Sequence, residues 1–479
     1  MNANLWLSRL RHLLHRGPGP GAWRALCELF EALPAEHTAI ALEYAEQHLR
    51  AWPIALRRAK LASRPTSAPR WWPLVRSAFL HRADGPLAPL FWGGLLDSIE
   101  ALDFKGLRGC VFTLSSLDWP GSPRALSLAW NALSDRGVER LLDVPWLGRL
   151  EHLNLQRNSI TARSVARLAD SEALAGLTWL DLSQNAVATP GVEALAASPH
   201  LTGLQALSLA SNHTPLHTHT AAMEALCAES AATRGLRALD VSNNLLDPVG
   251  VGLIAQLPHL THLDLHGAGL SDDGLAGLLT SAAPLLWLNM ATGHSDRARV
   301  SSRGLLALAQ SPHAARLRSL NLSGCEVDLG ALEALADNTP ELRVLVLRQV
   351  ALGDEGAAAL ARASKLGRLE VLDLEGAGVG PRGLEALARA EGLGGLRRLN
   401  LGANPELGER ELLSVVQSEV GARLRCLGFP NAYLRGVVQA RLGESFPELG
   451  VEWGPPSQYS LLTRRRFEGE EAYDPVWRP

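Results

Sequence analysis

The sequence predicts an α/β solenoid, in which each repeated strand–turn–helix unit adds one short strand to a parallel sheet. Three observations predict it: the L-x-x-L-x-L motif of Leu177, Leu180 and Leu182, an asparagine three residues later at Asn185, and a helical apolar pattern that reaches Leu195. The motif recurs at spacings of 24 to 32 residues. Its middle leucine lies at Leu126, Leu153, Leu180, Leu207, Leu239, Leu263, Leu288, Leu320, Leu345, Leu372, Leu399 and Leu427.

Each unit has a strand and a helix that bury one apolar side. Side chains alternate between the two faces of a strand, so Leu180 and Leu182 are predicted to point inward and Trp179 outward. After the turn, Val192 and Leu195 share one face of a helix. Neither element is stable alone, and stacking on the neighbouring units supplies the missing apolar surface.

A shared asparagine position is predicted to satisfy main-chain groups of the turn, because a buried amide both donates and accepts hydrogen bonds. It is occupied by Asn131, Asn158, Asn185, Asn212, Asn244 and Asn404. Other units carry Ala268, Gly293, Cys325, Val350, Ala377 and Ala432 there. In those units we expect a looser turn or replacement by other contacts.

The unit length, the helix after the turn and the Asn-or-Cys position resemble the ribonuclease-inhibitor-like branch of the leucine-rich repeat family. The resemblance covers about residues 99–453. It implies a curved βα horseshoe with a parallel sheet on the concave face, which in most members binds a protein. The motif is specific for the fold and much less so for the function.

Three regions are expected: a helical N-terminal module or cap at residues 1–98, a solenoid of about 12 regular repeats at 99–454, and a tail at 455–479. A single globular core would be unusually large for 479 residues, whereas a solenoid grows in one dimension. Residues 1–95 hold 12 basic and 6 acidic residues, and the remainder holds 34 and 43. This uneven charge also favours two modules.

The N-terminal module is predicted to contain helices over residues 5–16, 23–33 and 36–52. The first is basic and amphipathic, so contact with a membrane surface is possible, although packing on the next helices is the favoured interpretation. An organelle transit peptide or a nucleic-acid surface would also explain the positive charge, but no recognition-helix pattern accompanies it. Residues 26–34 faintly resemble an F-box helix.

Five scattered cysteines without a C-x-x-C pair favour a reducing compartment, and we expect a cytoplasmic protein. No apolar run approaches the ~18 residues of a membrane span. Arginine far outnumbers lysine, since only Lys60, Lys105 and Lys365 are lysines, which hints at a bacterial GC-rich genome.

Three patterns suggest chemistry, and each has a simpler explanation. Gly378, Gly380 and Gly383 form G-x-G-x-x-G after a strand, as in dinucleotide sites, but Gly383 occupies a glycine position shared by the repeats. His213, His217 and His219 could bind a metal, although histidines in an extended loop are more often polar surface. Aspartates or asparagines that follow the middle leucines match the repeat pattern. We therefore expect neither a cofactor nor catalysis.

The predicted binding site combines aromatic side chains on the concave face with two longer loops. Trp179 and Trp287 are expected to stand exposed on the sheet around a floor of small residues. The longer loops contain residues 213–219 and 294–302, and insertions in repeat proteins cluster on the binding face. The full set of expected protein-binding residues is His152, Trp179, His262, His266, Trp287, Arg297 and Arg299.

The sequence thus predicts a non-catalytic scaffold that binds a protein, not a nucleic acid, through the concave face and the strand-to-helix edge. One alternative is a secreted bacterial effector or adaptor with an F-box-like N-terminal module. The other is a hydrolase or metal-dependent enzyme at the histidine-rich edge.

Overall fold

The computed structural model describes residues 3–15, 17–61, 69–80, 96–107, 110–115, 123–212, 219–228, 230–293 and 299–428. The chain forms two compact units, of which the first extends to Ser208 and the second begins at Leu209. None of the helices in these ranges combines the length and apolar composition that a membrane span requires.

The first unit begins with three helices and continues as parallel strands alternating with helices. The helices are α1 Ala3–His15, α2 Pro20–Ala32, α3 Ala35–Leu49, α4 Cys110–Leu114, α5 Ser134–Leu142, α6 Ala162–Ala169 and α7 Ala188–Ala196. The strands are β1 Arg58–Lys60, β2 Ser77–Phe79, β3 Ala101–Asp103, β4 Ala125–Ser127, β5 His152–Asn154, β6 Trp179–Asp181 and β7 Ala206–Ser208. Each strand pairs in parallel with the next along the chain.

The second unit repeats the same alternation. Its helices are α8 His219–Cys227, α9 Pro248–Leu253, α10 Asp272–Leu278, α11 Ser302–Gln310, α12 Leu329–Asn338, α13 Gly353–Arg362, α14 Pro381–Ala388 and α15 Glu409–Val416. Its strands are β8 Ala238–Asp240, β9 His262–Asp264, β10 Trp287–Asn289, β11 Ser319–Asn321, β12 Val344–Val346, β13 Val371–Asp373, β14 Arg398–Asn400 and β15 Cys426–Gly428. These strands are also parallel and follow chain order. The predicted α/β leucine-rich solenoid is therefore confirmed.

The interior of each unit lies between the middle strand leucines and the helices. Leu320 and Leu345 of the strands line the same small internal gap as Leu332, Leu335 and Leu360 of the helices. Paired strands keep these leucines in register, for example Leu320 opposite Leu345. Burial of one such side chain stabilises the fold by about 1.5–3 kcal/mol, which favours a single register.

The sheet of the first unit starts earlier than the expected boundary at residue 98. β1 pairs with β2, and β2 pairs with β3, with Ala59 opposite Ala78 and Ala78 opposite Leu102. The segment from Leu56 to Leu61 carries the repeat pattern with alanine in place of the middle leucine. A search for leucine at that position misses these two strands for this reason.

The helices α1 to α3 pack against one another, as the favoured interpretation expected. Trp6, Leu10 and Leu14 of α1 are buried, and the Trp6 ring stacks on His37 of α3 with centroids 5.4 Å apart. The apolar face of α1 is therefore occupied by protein, which removes the surface that a membrane contact would use. Leu26 and Phe30 in the F-box-like segment are buried as well.

The asparagine position forms a ladder between successive turns. The main-chain N–H of Asn131 donates to Asn158 Oδ1 at 2.8 Å, and that of Asn158 donates to Asn185 Oδ1 at 2.8 Å. Asn158 Nδ2 also donates to the carbonyl oxygens of Leu128 and Leu155. The predicted role of the amide, which satisfies turn main-chain groups, is confirmed.

Units without asparagine replace the ladder with other contacts, as expected. The N–H groups of Ala268 and Ala377 donate to main-chain carbonyls three residues earlier, at 3.0 and 3.1 Å. The thiol of Cys325 donates to the Met290 carbonyl oxygen at 3.4 Å. Ala432 lies outside the described residues.

Candidate interaction surface

Each strand has three residues, and the first and third project from the face opposite to the middle leucine. We call this the outer face of the sheet. It carries five of the seven residues expected to bind a protein. These are His152, Trp179, His262 and Trp287 on the strands, together with His266, which lies two residues after the end of β9. Arg299 is exposed before α11, and Arg297 falls outside the described residues.

In the first unit, His152 and Trp179 are the first residues of β5 and β6 and lie opposite each other in register. Their ring centroids are 6.4 Å apart, with the planes at 60°. Trp179 is only 3% exposed, whereas His152 is half-buried. The expectation that this indole is exposed is wrong. Neighbouring strands lie about 4.8 Å apart, so large side chains in register cover one another.

In the second unit, His262 and Trp287 repeat this pairing on β9 and β10. Their centroids are also 6.4 Å apart, but the rings are stacked at 22°. His262 is 3% exposed and Trp287 is 6% exposed, so this indole is also buried contrary to expectation. His266 is half-buried, and its main-chain N–H donates to Asp264 Oδ1 at 3.0 Å. The two aromatic pairs lie in different units, and a single site that combines them stays a prediction.

The structure does not describe the side chains of the three histidines considered as metal ligands. His213 and His217 lie outside the described residues, and the side chain of His219 at the start of α8 is likewise not described. Within the ranges that are described, no group of three or more His, Cys, Asp or Glu side chains is arranged to hold a metal ion.

Many of the strands end with an aspartate or asparagine at their third position. Asp181 Oδ1 accepts the N–H of Ser183 at 2.8 Å, and Asp240 Oδ1 accepts that of Ser242 at 3.0 Å. Asn154 bonds the N–H two residues later in the same way. This is the local bond by which Asx side chains start a turn, and it explains why the repeat uses Asp or Asn there.

Two of these carboxyls have shifted pKa values. Burial raises the pKa of Asp264 well above its ordinary value, and the nearby charge of Asp240 raises it further. Burial also raises the pKa of Asp373, while the guanidinium of Arg348 opposes that shift. Arg348 Nε donates to Asp373 Oδ2 at 2.7 Å and Arg348 Nη1 lies 3.1 Å from Glu375 Oε2. Arg348 thus compensates the charges of Asp373 and Glu375.

The G-x-G-x-x-G pattern is part of a helix start. The N–H groups of Gly380 and Gly383 both donate to Asp354 Oδ1 at 2.8 Å. A Cβ on Gly383 would lie 2.7 Å from that oxygen. An anion-binding position at the start of α14 is therefore already filled by a carboxylate from the preceding repeat, so the repeat itself explains these glycines.

A row of residues at the strand-to-helix edge was missed from the sequence. The fourth residue after the middle leucine has a left-handed conformation, with φ between 52° and 73°, in most repeats. We call this the edge row. In the first unit it consists of Gly106, Trp130, Arg157 and Gln184. In the second it consists of Ser211, Asn243, Gly267, Gly324, Gln349, Gly376 and Ala403. The recurrence of glycine at this position was the available signal.

Residues of the edge row make the same kind of main-chain hydrogen bond but carry different side chains. The N–H of Trp130 donates to the Gln156 carbonyl at 2.9 Å, and that of Gly376 donates to the Gly402 carbonyl at 2.8 Å. Any residue can make this bond, but a non-glycine residue in this conformation costs roughly 1–2 kcal/mol. The fold therefore requires a left-handed residue there and does not require a particular side chain.

Five segments match the family model for a leucine-rich repeat, at residues 124–142, 177–196, 256–279, 315–336 and 369–388. The chain is similar to a solved structure of the TLR13–ssRNA13 complex, with 16% identity and a TM-score of 0.41, covering 74% of this chain. It spans 57% of that chain's length. It is also similar to the structure of the Rad7 and Elc1 complex in yeast, with 13% identity, a TM-score of 0.46, and coverage of 90% of this chain and 92% of that chain. No curated protein sequence matches.

Proposed function

We propose that this chain of leucine-rich repeats is a non-catalytic scaffold that binds a protein partner through its strand-to-helix edge and the outer face of its sheet. The finer assignment to the ribonuclease-inhibitor-like branch rests on the unit length, the helix after the turn and the Asn-or-Cys position. A reducing, cytoplasmic setting is part of the proposal, because the five thiols are free.

The edge row is the observation that carries the proposal. Gly106, Gly267, Gly324 and Gly376 meet the backbone requirement at the lowest cost, yet other repeats place Trp130, Arg157, Gln184, Asn243 and Gln349 at the same position. These side chains are not needed for the interior, which the leucines fill. Repeat proteins bind through side chains that the scaffold leaves unconstrained, and insertions on the same edge extend such a surface.

The outer face contributes a second part of the proposed surface. His152 and His266 are half-buried and Arg299 is exposed, so these members of the predicted site are accessible. In the first unit Trp179 lies beside His152, and we propose that it holds this imidazole in position. In the second unit Trp287 stacks on the buried His262. A protein partner would then contact the imidazole edges and the arginine, and not the indoles themselves.

The test uses glycine at the edge row, because glycine keeps the left-handed backbone and removes only the side chain. Full-length wild type and a Gln184→Gly/Asn243→Gly/Gln349→Gly variant are immobilised and incubated with native lysate, and captured proteins are identified by mass spectrometry. Circular dichroism verifies that both are folded. We expect the wild type to capture a specific protein. The amount of this protein that is captured should fall at least about fivefold in the variant, which corresponds to a loss of ~1 kcal/mol in binding free energy.

A matched variant, Arg167→Ala/Glu193→Ala/Glu333→Ala, removes three exposed side chains from helices α6, α7 and α12. It should capture as much partner as wild type. If the wild type captures nothing above an empty matrix, or if the helix variant loses the partner while the glycine variant retains it, the proposal is wrong.

A further inference from the structure

A cation–aromatic cluster at the edge of the first unit extends the edge row. The guanidinium carbon of Arg157 lies 3.8 Å from the centroid of the Trp130 ring, and Lys105 Nζ lies 5.8 Å from the same centroid. The three residues follow three successive strands, β3, β4 and β5. We call them the Trp130 cluster.

We propose that the Trp130 cluster binds an acidic peptide segment of a protein partner. The inference rests on the proposed scaffold function and specifies the chemistry that one part of its surface recognises. A guanidinium stacked on an indole has its flat face covered, while its N–H groups in the plane remain directed outward. Those donors match the two oxygens of a carboxylate.

The charge environment of Arg157 supports this assignment. Some other arginines of the first unit form ion pairs, for example Arg58 with Asp103 at 2.8 Å and Arg124 with Glu151 at 3.0 Å. Arg157 is exposed, and no carboxylate in the described part of the chain lies within ion-pair distance of it. An acidic side chain from outside would therefore not have to displace an existing partner.

The conformation of Trp130 also indicates a role beyond the interior. Its φ is +64°, in a region that bulky residues rarely adopt, and it is only half-buried. Glycine would satisfy the same backbone bond, as Gly106 does one repeat earlier. Trp130 therefore adopts a backbone conformation that costs free energy, and its indole packs against the Arg157 guanidinium. This packing fixes the position of the guanidinium before binding, so the side chain loses less conformational entropy when a ligand binds.

The size of the cluster favours a peptide over a nucleic acid. Binding to a phosphate backbone depends on many cations along the strand, each neutralising one phosphate. The next member of the edge row in this unit is the neutral Gln184. Two cations and one aromatic ring suit one or two carboxylates beside an apolar or aromatic side chain.

The test measures fluorescence anisotropy of a fluorescein-labelled peptide of alternating Glu and Gly with one Tyr, titrated with the full-length protein at low salt. The same peptide with Gln in place of Glu serves as the neutral probe. We expect the Glu peptide to bind about fivefold tighter than the Gln peptide, and Arg157→Gln, Lys105→Gln and Trp130→Gly each to remove most of this preference. Arg167→Gln, an exposed arginine on α6, should leave the preference unchanged.

Equal binding of the two peptides by wild type would overturn the inference, as would a preference that survives in Arg157→Gln. Tighter binding of a single-stranded oligonucleotide than of the Glu peptide would also overturn it, in favour of a nucleic acid. After any of these outcomes, the scaffold proposal would still hold if capture of a protein from lysate required the other residues of the edge row.

Discussion

Asn158 shows how one amide holds two repeats together. It is fully buried, accepts the N–H of Asn131 and donates to the carbonyls of Leu128 and Leu155. The bonds join main-chain groups from two successive turns. Because those groups lie away from water, each would cost free energy if left unpaired.

We predict that Asn158→Ala lowers the free energy of unfolding by about 3 kcal/mol, because the Leu128 carbonyl and the Asn131 N–H lose a partner. Urea denaturation measures the change. Arg163→Ala, which removes an exposed side chain on α6, serves as control and should change the value by less than about 0.5 kcal/mol. Equal effects of the two variants would contradict a structural role for the amide.

In contrast to Asn158, which stabilises the fold, Asp264 destabilises the folded state when its carboxylate is charged. It is buried beside Asp240, and burial together with that charge raises its pKa above the ordinary value of 3.8. Below pH 3.8 the group is protonated in both folded and unfolded chains and costs nothing. As the pH rises from there to the raised pKa, the unfolded chain ionises first, so the folded state loses stability.

We therefore predict that Asp264→Asn raises the unfolding temperature at pH 8 and leaves it almost unchanged near pH 4. Asparagine fits, because Asn289 and Asn321 occupy the same position in the next two repeats, and its oxygen can still accept the N–H of His266. Thermal unfolding followed by circular dichroism at both pH values gives the answer. A variant less stable than wild type at pH 8 would show that the Asp264 charge is stabilising.

The sequence predicts the direction of side chains at this scale better than their exposure. Alternation on the strand correctly assigned Leu180 to the interior and Trp179 to the other face. The burial of Trp179 depends on what surrounds it in three dimensions, including His152 on the adjacent strand. A single strand carries no information about these neighbours, which belong to other repeats.

At the level of elements, Arg57 joins the N-terminal helices to the first strands. Its side chain is 5% exposed and donates from Nε to the Leu74 carbonyl at 2.8 Å and from Nη2 to Glu46 of α3. Glu46 also accepts from Arg76, just before β2, at 2.9 Å. One carboxylate thus connects a helix to two segments of the sheet.

We predict that Arg57→Ala costs about 3 kcal/mol and loosens α3 from the sheet, because Glu46 loses its most buried partner. Hydrogen exchange with mass spectrometry should show faster exchange in α3 and little change in β6. Arg50→Ala, at an exposed position at the end of the same helix, should leave exchange in α3 unchanged. Uniformly faster exchange throughout the first unit would instead indicate general destabilisation.

The regular elements could be predicted because each repeat restates the same pattern. The predicted helices over residues 23–33 and 36–52 agree with α2 and α3 to within three residues. β1 and β2 were missed because Ala59 and Ala78 stand where later repeats have leucine. The edge row was missed because its members share a backbone conformation and not a residue type.

Across the molecule, the five cysteines share a protected environment. Four are buried and Cys27 is half-buried, and all are free. Burial raises the pKa of Cys27, Cys110 and Cys227 to about 12. The thiolate is the reactive form, so these thiols should be inert in the folded protein near neutral pH.

We predict that a thiol reagent at pH 8 labels almost none of the cysteines in the native protein and all five after denaturation. Counting the labels by mass spectrometry at fixed times checks this. The unfolding temperature should be the same with and without reductant. Rapid labelling of one native cysteine would reveal an accessible thiol that the fold does not protect.

The proposed function depends on surfaces that the repeat pattern leaves free, which is why the sequence predicts the scaffold more readily than the partner. The repeat determines the leucines, the asparagine ladder and the left-handed edge position. It does not determine that Trp130, Arg157 or Gln349 occupies that edge. Which of these side chains contacts a partner is a property of the complex.

The most direct measurement is photo-crosslinking from single positions. A benzophenone amino acid is placed at residue 184 or 349 of the edge row, or at exposed residue 193 or 333 of the helices, in the full-length chain. After irradiation in native lysate, crosslinked proteins are identified by mass spectrometry. The scaffold account predicts that a partner is crosslinked from position 184 or from position 349, and not from 193 or 333. Crosslinks from the helix positions alone would contradict the proposed binding surface.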